Sequence, residues 1–98
     1  MIQEIKLMDV VSGTSSNAEA MALYIQMDKA IGSGRKIRLS LHNSTSMSSS
    51  FLNSSFGELF DKYGMGVIRE HLTLIDFKPS HAAVIKEYLQ GLQQMTSK

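Results

Sequence analysis

Lys36-Ile37-Arg38-Leu39-Ser40-Leu41-His42-Asn43-Ser44-Thr45-Ser46-Met47-Ser48-Ser49-Ser50-Phe51-Leu52-Asn53-Ser54-Ser55-Phe56-Gly57-Glu58-Leu59-Phe60 changes its hydrophobic period partway along. Ile37, Leu39 and Leu41 alternate with Arg38 and Ser40, which predicts a strand over 36–41. Leu52, Phe56, Leu59, Phe60 and then Tyr63 fall on one helical stripe, which predicts a helix over about 49–63. Gly57 interrupts that helix at a propensity cost of about 1 kcal/mol relative to alanine. With small Ser54 and Ser55 beside it, it marks a close approach of the helix to the sheet. Between strand and helix lies a loop in which eight of twelve residues, Ser44 to Ser55, are Ser or Thr. A hydroxyl there either caps the helix or is presented to a partner.

The same alternation continues on both sides. Glu4 to Val11 reads as a strand covered at least partly on both faces. Ser12 to Asn17 is a loop, and Ser16 with Glu19 has capping-box spacing. Ala20, Leu23, Tyr24, Met27, Ala30 and Ile31 form the stripe of a helix over 17–31, closed by Gly32-Ser33-Gly34. Gly64-Met65-Gly66 stops the second helix, and Val67 to His71 reads equally as a helical turn or an irregular link. Leu72 to Phe77 is the third strand. Pro79 opens a final helix reaching about Gln93, followed by a frayed tail, Met95 to Lys98. The order β-α-β-α-β-α predicts one α/β domain over 1–98, its ordered core about 4–93, with a largely parallel sheet. Functional groups then gather at loops past the strand carboxyl ends, here Ser44–Ser50 and Asp76–Ser80.

Composition narrows the function. A chain of 98 residues with 43% hydrophobic content folds as one globular unit. Its net charge of +1 is scattered, and the one basic cluster, Arg35-Lys36-Ile37-Arg38, is the polar edge of a strand, so nucleic acid is not the expected partner. The absence of cysteine excludes disulfides, thiolate metal sites and a cysteine nucleophile. The first residues lack the pattern of a secretory signal, and no apolar run is long enough to span a bilayer, so the expected location is cytoplasmic.

No established catalytic or metal-binding arrangement is complete. Gly32-Ser33-Gly34 and Gly64-Met65-Gly66 end helices, the reverse of a nucleotide-binding context. His42, His71 and His81 are dispersed without metal-ligand spacing. His42 beside the serine loop, with Asp76 to orient it, leaves a small hydrolase or phosphotransfer enzyme as a minor alternative, although no nucleophile elbow is present. Met47 and Met65 fall in loops, where methionine is adaptable contact surface. A phosphate on a first-turn serine would meet free backbone N–H groups and the positive end of the helix dipole, and would add about −1.5 to −2 charge.

Ser49-Ser50-Phe51-Leu52 followed by Phe56-Gly57-Glu58-Leu59 resembles the bacterial STAS-like domain of unknown function, distantly similar to the STAS domains of anti-sigma factor antagonists. The resemblance spans residues 5 to 92, with the central block its specific part. It implies a STAS-like fold and a non-enzymatic regulatory protein–protein interaction domain with no cofactor. In the antagonists an Asp-Ser-Ser-Gly-Leu segment opens the corresponding helix, and one serine is phosphorylated by a histidine-kinase-like ATPase. Matched here, Ser48 stands at the aspartate, Ser49 at the phosphoacceptor, Ser50 at the second serine, Phe51 at the glycine and Leu52 at the leucine. Ser40 replaces an aspartate near the strand end. The expected partner is such an ATPase or an anti-sigma-type protein. The expected contact surface is Met47, Ser48, Ser49, Ser50, Phe51 and Asn53. An unregulated binding or self-association module is the alternative, and oligomeric state is left open.

Overall fold

The computed structural model describes residues 2–96. Three parallel strands, β1 (Ile2–Lys6), β2 (Lys36–Ser40) and β3 (Leu72–Ile75), lie side by side in chain order. The register places Ile5, Leu39 and Leu74 across one row and pairs Ile37 with Leu72 in the row below. The residues that alternate with them, Glu4, Lys6, Lys36, Arg38 and Thr73, are exposed.

That alternation corrects the expectation that the first strand is covered on both faces. Strands laid down in chain order through right-handed crossovers return each connecting helix to the same side. The helices α2 (Asn17–Gly32), α3 (Ser49–Leu52) and α4 (Glu58–His71) accordingly pack against one another. The architecture is two-layered, with Phe51, Phe56, Leu23, Met27, Leu39, Leu59 and Ile85 at its centre. Lys36 and Arg38 of the basic cluster face the polar side, while Arg35, just before β2, donates to Gln3 Oε1 at 3.2 Å.

The first strand ends earlier than its alternation suggested. From Leu7 the chain makes one helical turn, α1 (Leu7–Val10), with Val11 N–H bonded to Leu7 O at 3.0 Å. Leu7 and Val11, four residues apart, are both buried. A spacing of four satisfies period two and a helical turn equally, so the pattern could not separate them.

The second helix is longer and less regular than its stripe implied. Between α3 and α4 it widens into a π-helical turn, Asn53–Gly57, and it then runs to His71 across a break at Gly64 (φ 83°, ψ 167°). Gly64 therefore does interrupt the helix, and Val67–His71 resolves as helix. Gly57 has ordinary helical angles (φ −63°, ψ −45°), so conformational freedom is not its purpose. A Cβ there would lie 2.5 Å from the Tyr88 hydroxyl on the last helix, α5 (Pro79–Thr96). The close approach is to α5, not to the sheet. Tyr88 donates to Asn53 Oδ1 at 2.6 Å at the start of the widened turn, and buried Ser55 at its middle donates back to Phe51 O at 2.6 Å. Of the expected frayed tail, Met95 and Thr96 are helical; Ser97 and Lys98 lie outside the described residues.

Candidate functional site

The loops that follow the strands meet at one end of the sheet, and hydroxyls join them. After β2 a tight turn closes with Ser44 N–H bonded to Leu41 O at 3.0 Å, Asn43 adopting a left-handed φ of 61°. Asparagine tolerates that conformation better than most residues. Thr14, only 2% exposed, then locks this loop to the one after β1. Its Oγ1 lies 2.7 Å from Thr45 Oγ1 and donates to Ser46 O at 2.8 Å. Thr14 O in turn accepts from Ser48 N–H at 3.0 Å. Sequence reading missed Thr14, because one threonine in a polar loop has no periodicity to betray burial.

Ser48 is the helix cap. Its Oγ accepts from Phe51 N–H at 3.1 Å and donates to Ser15 O at 3.1 Å. The residue standing at the aspartate of the antagonist segment thus does what an aspartate does at an N-cap. Ser54 bonds to Asn17 Oδ1 at 3.2 Å and Ser44 to Thr45 O at 3.0 Å. Once these hydroxyls are assigned, those of Ser46, Ser49 and Ser50 remain; all three residues are exposed, and among the described residues their hydroxyls make no hydrogen bond. Ser49 and Ser50 occupy the first two positions of the helix.

The remaining expected contact residues divide. Phe51 is fully buried and corrects the expected surface: it anchors the helix to the core and cannot touch a partner. Met47 is half-buried and packs against the same core. Asn53 is exposed, with its side-chain oxygen engaged by Tyr88.

The alternative constellation does not come together as a relay. Asp76, itself left-handed at φ 52°, accepts from Ser40 Oγ at 2.9 Å instead of orienting His42. His42 is exposed and reaches Ser40 only through its backbone N–H, at 3.4 Å. Ser40 and Asp76 therefore tie the ends of β2 and β3 together. Among the described residues no three His, Cys, Asp or Glu side chains converge as metal ligands.

A second carboxylate stands at the start of α2. Glu19 completes the capping box: Ser16 Oγ accepts from its backbone N–H at 3.2 Å and donates to its carboxylate at 2.9 Å. Ser12 adds a second bond at 2.8 Å, and these hydroxyls, Ser12 first, hold the carboxyl below its ordinary value.

A profile of the family described as a STAS-like domain of unknown function (DUF4325) matches residues 19–82. No curated protein and no solved structure matches the chain. The matched region contains the capped helix start, the central strand and the widened turn. No helix among the described residues is long and apolar enough to cross a membrane.

Proposed function

The chain belongs to the STAS-like domain family of unknown function, and we propose that it is a non-enzymatic regulatory interaction domain switched by phosphorylation of Ser49. The observation that carries this reading is the division of labour at the helix start. Ser48 caps the helix and ties down the neighbouring loop, which leaves the Ser49 hydroxyl exposed and uncommitted. A phosphate there lies within the first turn, where backbone N–H groups lack intrahelical partners and the helix dipole is positive. The fold tolerates the added charge, because Ser49 is exposed. A partner seated on the polar end formed by His42, Thr45, Ser46, Ser49 and Ser50 meets that charge directly.

Ser50 shares the exposure and the free hydroxyl, and the antagonist-like segment favours Ser49. The partner on this reading is a cytoplasmic histidine-kinase-like ATPase or anti-sigma-type protein. The test is affinity for such an ATPase, measured for the unmodified chain, Ser49→Asp and Ser50→Asp. Loss of at least about tenfold with Ser49→Asp, and little change with Ser50→Asp, supports the assignment; a tenfold change corresponds to about 1.4 kcal/mol. Equal affinity for all three proteins refutes the switch and favours an unregulated binding module.

A further inference from the structure

A groove of about 490 Å³ runs beside β3, away from the serine loop. Its floor is apolar: Ile68 on α4, Leu72 and Leu74 on β3, and Ile85 and Leu89 on α5. Ile68, Ile85 and Leu89 belong to the core, while Leu72 and Leu74 are half-buried because the layer stops at this edge. Phe77, 43% exposed, stands at one side. The two charged residues lining the groove are both cations, Arg69 and Lys86. Arg69 also borders an adjoining polar trough with Gln90, Gln93 and Gln94.

The edge of β3 supplies a second observation. Leu41 N–H bonds to Ile75 O at 3.0 Å, so Ile75 and Thr73 turn their backbone groups toward β2. Leu72 and Leu74 therefore turn theirs outward. The Leu72 N–H is taken by Ile68 O at the end of α4. The Leu72 carbonyl and both backbone groups of Leu74 face the open edge. An unpaired edge of this kind is a template for another strand.

We infer that this edge takes an extended segment of another protein as a fourth strand, with alternate apolar side chains in the groove and an acidic residue beside Arg69 and Lys86. Backbone pairing supplies affinity, and the groove reads every second side chain, as in strand addition generally. Four residues of β3 span about 13 Å, enough for a segment that places about two side chains inward. The cations select the acid. A second copy of this chain fits less well: a two-fold axis at β3 would set one concave, basic groove against another, leaving both unfilled. This surface does not involve Ser49 and stands whether or not that serine is modified.

The test is a titration of the intact chain, followed by amide NMR, with a peptide of alternating valine and threonine ending in aspartate on both sides. The same peptide ending in lysine is the control. Exchange of the Leu74 amide should slow by about tenfold or more with millimolar acidic peptide, and the lysine-ended peptide should bind about tenfold more weakly. Arg69→Glu with Lys86→Glu, both exposed positions, should reverse that preference; the lost bond from Arg69 to Gln93 Oε1 and the negative charge in the last turn of α4 should lower the melting temperature by only a few degrees, leaving a folded chain. Unchanged Leu74 exchange overturns the inference, as does equal binding of both peptides. Protection of Leu74 that grows with protein concentration alone also overturns it, in favour of self-association.

Discussion

Replacing Gly57 by alanine should destabilise the protein, and removing one distant oxygen should reverse the sign of that effect. Gly57 is buried and helical, so alanine fits its backbone and on propensity alone gains about 1 kcal/mol. The obstacle is the Tyr88 hydroxyl, 2.5 Å from the new Cβ, an approach that must open to about 3.4 Å. Moving the hydroxyl breaks its 2.6 Å bond to Asn53, a loss of about 0.5–1.5 kcal/mol. Overpacking adds about 1–3 kcal/mol. Net of propensity, Gly57→Ala should cost about 0.5–3.5 kcal/mol. In a Tyr88→Phe background the nearest α5 atom becomes Cζ, at an ordinary 3.6 Å. Gly57→Ala should then stabilise by about 0.5–1 kcal/mol. Urea unfolding of the four proteins closes a double-mutant cycle with an expected coupling of about 1–4.5 kcal/mol. Identical effects of Gly57→Ala in both backgrounds would refute the contact between the widened turn and α5.

Thr14→Val should cost about 0.5–1.5 kcal/mol by removing the hydrogen bonds that hold Thr45 and Ser46 to the loop after β1, and hydrogen exchange should show the 44–48 loop opening before the rest of the chain. Ser48→Ala should cost about 1 kcal/mol in chemical denaturation as the helix loses its cap, whereas Ser49→Ala should fall within about 0.5 kcal/mol of the unmodified protein. Acid should weaken the fold: Glu19 is held below its ordinary 4.5 by Ser12 and Ser16, and Asp28 below its ordinary 3.8 by Lys62 and Tyr63. Both carboxyls bind protons more readily when unfolded, so their stabilisation is complete above those ordinary values and disappears as pH falls through the lower native ones. Unfolding midpoints measured in that range should drop less for a Ser12→Ala, Ser16→Ala protein.

Element order was legible because each period persisted long enough to be distinctive: Ile37-Leu39-Leu41 for the central strand and Ala20 through Ile31 for the first helix. The Ser16–Glu19 capping box was legible for a different reason, since its partners are local. Contacts set by tertiary packing were not. Leu7 and Val11 satisfied two periods at once, and the widened turn at Asn53–Gly57 depends on Tyr88, some thirty residues away in the chain. Phe51 looked available because it sits among serines, but burial at the start of a helix is decided by the layer beneath it. At the candidate site, the abundance of hydroxyls was plain while their assignment was not. The distant partners Thr14, Ser15 and Asn17 show that the Thr45, Ser48 and Ser54 hydroxyls are occupied.

The proposed switch depends on one group, the Ser49 hydroxyl, and intact-mass analysis reads it directly. The chain is incubated with ATP and a histidine-kinase-like ATPase of its own host, and the modified residue is then located by fragmentation. The account predicts addition of one phosphate, located at Ser49 and lost in Ser49→Ala. No mass gain, or a gain that persists in Ser49→Ala, contradicts it.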